Sequence, residues 1–137
     1  MSIRNSVVVA VVALLGMSQV SALSTARRIE EYLNSLHLCA TVDFNEIRVN
    51  IKDGVTEREA NQDERVRAGD RLHVLEVDVS SEGMDLEIEF TSVHTRKEHA
   101  NAELVFYREL VHPETDELNT TDLRMALGHF TTECCEQ

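Results

Sequence analysis

Apolar residues recur at two different spacings along the chain, and the change of spacing divides it into elements. Ile29, Tyr32, Leu33 and Leu36 fall at i, i+3, i+4 and i+7, with Arg27, Arg28, Glu30, Glu31 and Asn34 mostly on the other side. This predicts an amphipathic helix of about fourteen residues capped by Ser24 or Thr25. From Thr41 the period is two: Val42 and Phe44, then Ile47, Val49 and Ile51, with a parity change at Asn45-Glu46 that implies a bulge. Asp53-Gly54 ends that strand. Gly69-Asp70 opens a second, in which Leu72 and Val74 give way to Leu75, Val77 and Val79, again with a parity change.

After a turn at Ser80 to Gly83, Leu86, Ile88 and Phe90 alternate with Asp85, Glu87 and Glu89. That pattern predicts a strand with one dry and one wet face, the acids being solvated surface. Ala102 to Leu110 carries Leu104, Phe106 and Leu110 on one parity and Val105, Tyr107 and Val111 on the other, which predicts an interior strand covered by helix on one side. Thr121 caps a short final helix with Leu123, Ala126, Leu127 and Phe130 on one face and Gly128 at its end. The order helix, four strands, helix predicts the α+β class: an N-terminal amphipathic helix packed on a bent four-stranded antiparallel meander, curling toward a half-barrel, with a short C-terminal helix. In outline this resembles cystatin-like folds. The Gln-x-Val-x-Gly signature of inhibitory cystatins has no counterpart in the chain, so the resemblance implies no inhibitory residue.

Two stretches lack periodicity. Thr56 to Arg67 is densely charged with no apolar face, and Thr91 to Asn101 carries Arg96-Lys97 between His94 and His99. Both read as loops, and loops of this length are candidate contact surfaces. Arg96, Lys97, His94 and His99 are therefore the expected binding residues, suited to an anionic ligand or an acidic partner.

Residues 1–22 are different material: Arg4 is the sole charge, an apolar run extends from Val7 to Leu15, and the segment ends Val20-Ser21-Ala22. This predicts a secretory signal peptide cleaved after Ala22, leaving residues 23–137 as one small α+β domain, secreted or extracytoplasmic, with no stable membrane insertion after cleavage. Export in turn changes the meaning of the cysteines. Cys39, Cys134 and Cys135 enter an oxidising compartment, where adjacent cysteines are poor partners for each other, so Cys39 is expected to bridge to Cys134 or to Cys135. The remaining thiol is available to link two chains as a homodimer. Asn119-Thr120-Thr121 is a glycosylation sequon if the source is eukaryotic.

Thirteen Lys and Arg stand against 25 Asp and Glu, a formal charge of −12 in 137 residues, the wrong sign for a nucleic-acid partner. Five scattered Gly make no phosphate cradle, no Gly-x-Ser-x-Gly or Cys-x-x-Cys occurs, and the histidine spacing is unlike His-Glu-x-x-His. No catalytic residue, metal site or cofactor is assigned. What remains is a non-enzymatic interaction module that binds a protein partner through loops or a sheet edge. The alternative is a small hydrolase or metal-dependent enzyme using His94, His99 or His112 with a nearby Glu or Asp.

Overall fold

The computed structural model describes residues 23–61, 65–93 and 99–135. The segment read as a signal peptide, together with His94, Arg96 and Lys97, lies outside the described residues. Helix α1 covers residues 23–35 and buries Ala26, Ile29 and Leu33. His37, at a φ of 52°, turns the chain out of it into strand β1 (Leu38–Ala40). There follow β2 (Glu46–Asn50), β3 (Val55–Glu59), β4 (Leu72–Val79), β5 (Asp85–Ser92), β6 (His99–Val105), α2 (Thr120–Leu127) and β7 (Thr131–Glu133). Among the described residues no helix is long and apolar enough to cross a membrane.

The class is α+β, but the sheet is not a four-stranded meander. Five strands lie in the order β3-β2-β6-β5-β4, and a separate two-stranded sheet joins β1 to β7. Only β4, β5 and β6 form a meander, and β2 runs parallel to β6, with Glu46 opposite Asn101 and Asn50 opposite Val105. The extra strand is β3. Its sequence, Val-Thr-Glu-Arg-Glu, is exposed at every residue, so it has no hydrophobic period to read. Asp53-Gly54 does end β2, as part of a turn that sends the chain straight back: the Asp53 amide donates to Asn50 Oδ1 at 3.0 Å, and Gly54 takes a φ of 69°, where a glycine carries little penalty. The first four of the twelve residues from Thr56 to Arg67 are therefore strand, and the Thr91 to Asn101 loop loses both ends, to β5 and to β6.

The parity change in β4 is a bulge. The ladder with β5 shifts between Val74 and Glu76, which leaves Leu75 40% exposed while Val74 and Val77 stay buried. The parity change at Asn45-Glu46 separates β2 from Phe44, which makes an isolated antiparallel bridge to Val66. The region from Ala102 is strand only as far as Val105, although Phe106 and Leu110 beyond it stay buried. Tyr107, expected on a second apolar face, is half exposed beside α2, and β6 is central because strands flank it on both sides.

One core lies on the dry face of the large sheet. Ile47 and Val49 of β2, Ala102 and Leu104 of β6 and Leu86, Ile88 and Phe90 of β5 share it with Ile29 and Leu33 of α1 and Leu123, Ala126 and Leu127 of α2. Helix α2 begins one residue before the expected cap, with Asn119 at the N-cap position. The carboxylate of Asp122 in its first turn is 2% exposed. It accepts from Arg108 Nε at 2.6 Å, Arg108 Nη2 at 3.1 Å and Asn119 Nδ2 at 2.7 Å, which pins the segment after β6 against the helix. That hydrogen bond, and then the attraction of the two charges, holds the exposed Arg108 guanidinium above its ordinary pKa.

Cys39 lies in β1 and Cys134 directly after β7, and the two are joined in a disulfide across that small sheet, with Cα atoms 5.1 Å apart; Cys135 is an exposed free thiol. The bridge therefore ties the C-terminal segment to a strand that follows the first helix rather than to the helix end.

Candidate functional site

Alternation along each strand of the large sheet sends its polar residues to the face away from the core. Glu46 and Arg48 alternate with Ile47 and Val49, Glu87 and Glu89 with Leu86 and Ile88, Asn101 and Glu103 with Ala102 and Leu104. The bulge at Leu75 resets β4 so that Glu76 and Asp78 also point outward. Neither described helix contributes to this face, and its strands line an open groove of about 750 Å³.

Register sets the chemistry of the groove. One row across the sheet reads Glu57, Arg48, Glu103, Glu87, Asp78, and the next reads Glu59, Glu46, Asn101, Glu89, Glu76. Eight carboxylates and one guanidinium stand in the two rows. Four directly opposed pairs are like-charged: Glu46 with Glu59, Glu76 with Glu89, Asp78 with Glu87, and Glu87 with Glu103. Each such pair works against the sheet by roughly 0.2–1 kcal/mol. Among the described residues, two contacts compensate. Arg48 Nε approaches Glu103 Oε2 at 3.7 Å, and His99 Nδ1 lies 3.1 Å from Glu89 Oε1. Arg58 lies on the opposite parity of β3, where its guanidinium donates to the Asp43 carbonyl at 2.9 Å.

Of the residues expected to bind, only His99 is described, and it sits at the start of β6 against Glu89, at one end of the acidic groove. His73 shares its row but stands two strands away, beyond Thr91. His112 is elsewhere, accepting the Glu114 amide at 3.3 Å. Among the described residues no group of three or more His, Cys, Asp or Glu could hold a metal ion. The side-chain nitrogen of Asn119, where a glycan would attach, donates to Asp122 Oδ2 at 2.7 Å.

The groove was visible in the sequence only in fragments. Glu-x-Glu in β5 and in β3 and Glu-x-Asp in β4 each show a wet parity, but nothing within a strand says that these acids face one another across neighbouring strands. Compared with protein-family models, with curated proteins and with solved structures, the chain matches none.

Proposed function

We propose that the protein is a non-enzymatic interaction module of an extracytoplasmic compartment, and that its protein partner is met by the uncovered face of the five-stranded sheet. The observation that carries this reading is the pair of carboxylate rows. Opposed like charges oppose folding, and a surface under no functional demand gains stability by interspersing the two signs. Their concentration on an unpacked face fits a surface made for a cationic partner, by the complementarity that guides protein association. The contact moves from the positively charged 91–101 segment to a negatively charged sheet, and the partner's charge reverses with it.

The test separates binding from stability. In E76K/E87K, each new lysine faces carboxylates where acids opposed each other before, so the variant is expected to be at least as stable as the parent, by up to about 1 kcal/mol in urea unfolding. The same variant should bind a lysine-rich polypeptide at least about tenfold more weakly, which is the loss of about 1.4 kcal/mol. E31K/E114K makes the same change of net charge away from the groove and should bind the probe almost as the parent does. Equal losses in the two variants would mean that net charge alone governs binding, and the face would lose its role.

Export is part of the same proposal, supported by the apolar segment at residues 7–15 and by the disulfide between Cys39 and Cys134, a bond that persists in oxidising compartments. Intact mass of the protein recovered from its native compartment should correspond to a chain beginning at or near Leu23. A mass that includes Met1 to Ala22 would replace the secreted module with an anchored one.

A further inference from the structure

We propose that the free edge of β3 accepts a sixth strand, supplied by an extended Lys/Arg-rich segment of another protein. This rests on the reading of the acidic face given above and goes beyond it by placing the partner's backbone. Among the described residues β3 pairs with β2 on one side only; it keeps unbroken register with it over five residues and is exposed at each of them. The opposite edge of the sheet is different: β4 is interrupted by its bulge, and next to its first residue Arg71 is bridged to Cys39 of β1. A regular edge strand directs alternate N–H and C=O groups outward with no partner in the sheet, and an added extended chain satisfies them.

Charge decides which chain fits. Thr56 and Arg58 point to the core side, where Thr56 Oγ1 lies 3.3 Å from His129 Nδ1 and Arg58 is held by Asp43. Glu57 and Glu59 point to the acidic face and head its two rows. Among the described residues neither has an ion-pair partner, and Glu59 faces another acid, Glu46.

A second copy of this chain is a poor occupant. Antiparallel pairing of β3 with itself, centred on Glu57, sets Glu57 against Glu57. Centred on Arg58, it sets Glu57 against Glu59 twice and Arg58 against Arg58. The register that pairs all five residues and the one centred on Arg58 both oppose like charges, while the one centred on Thr56 pairs only three residues and leaves Glu59 outside the ladder. A foreign strand with a cation at every second position instead places those cations level with Glu57 and Glu59, while its backbone completes the ladder.

The test uses the full chain and two short peptides of alternating lysine and threonine, identical except that one is N-methylated at alternate amides and so cannot donate to an edge. The unmodified peptide is expected to bind at least about tenfold more tightly than its methylated twin, a loss of roughly one well-made hydrogen bond, and to slow hydrogen exchange at amides within Val55–Glu59. E57K/E59K should weaken its binding by a similar factor, and because the methylated peptide probes the unaltered protein, the result does not depend on how the variant folds. Equal binding of the two peptides, or protection at β4 in place of β3, would overturn the edge proposal while leaving the acidic face as the binding surface. Failure of both peptides to bind would overturn the two together.

Discussion

Phe130→Ala is expected to destabilise the protein by about 3–5 kcal/mol, the scale for truncating a fully buried aromatic side chain. Phe130 is completely buried, and its ring meets that of Phe44 at 5.3 Å and that of Phe90 at 6.1 Å, both edge to face; Phe44 and Phe90 close the triangle at 6.3 Å. The three rings come from different places: Phe90 from the middle of β5, Phe44 from the bridge to Val66 before β2, and Phe130 from the segment leading out of α2. The Phe130 carbonyl also accepts the Thr41 amide at 2.9 Å. Removing the ring therefore opens a cavity where the large sheet, the second helix and the small sheet are joined. Urea unfolding followed by far-ultraviolet circular dichroism measures the loss. Met125→Ala serves as the control on the same helix, because Met125 is 53% exposed, and should change stability by no more than about 0.5 kcal/mol.

Removing the disulfide should cost about as much. The bridge closes a loop of sequence separation 95, and in the chain-entropy model opening such a loop in the unfolded state costs about 4–5 kcal/mol of stability. What would remain of the tether is the β1–β7 ladder, three opposed residue pairs from Leu38 with Glu133 to Ala40 with Thr131, too short to hold itself together. C39S/C134S should unfold at a markedly lower temperature than the parent, and reductant should lower the parent toward the variant without affecting the variant further. C135S should behave as the parent. A reductant-insensitive parent would show that the bridge carries no stability.

The sequence readings that agree with the structure are those tied to burial. Ile29 and Leu33, Leu86, Ile88 and Phe90, and Leu123, Ala126 and Leu127 were placed on apolar faces by spacing alone, and all are buried. Even the bulge in β4 left a trace, because a break in a two-residue period has few other causes. What stayed hidden depends on partners distant in sequence. β3 is exposed on both sides and so has no pattern; β1 and β7 are three residues each, shorter than any reliable period. The neighbours of β2 are set by contacts distant in sequence, and the order helix, four strands, helix favours the meander as the simplest connection. The candidate surface was missed for the same reason. Glu87 and Glu89 read as solvated surface and Glu57 and Glu59 as part of a charged loop, and the acidic rows exist only once register aligns five strands.

The parallel contact between β2 and β6 also governs the order in which the molecule can assemble. β3 pairs with β2, and β5 with β4 and β6, between strands close in sequence, so these two antiparallel units can form from local encounters. Their union cannot, because it matches Glu46 with Asn101 and Val49 with Leu104, residues 55 positions apart. During synthesis the first hairpin emerges well before the strand it must lie beside, and until β6 follows, Ile47 and Val49 have no sheet neighbour to cover them on that side. The topology thus puts the largest loop-closure cost of the sheet in that union, the entropy of the long intervening chain, rather than in the making of any single strand.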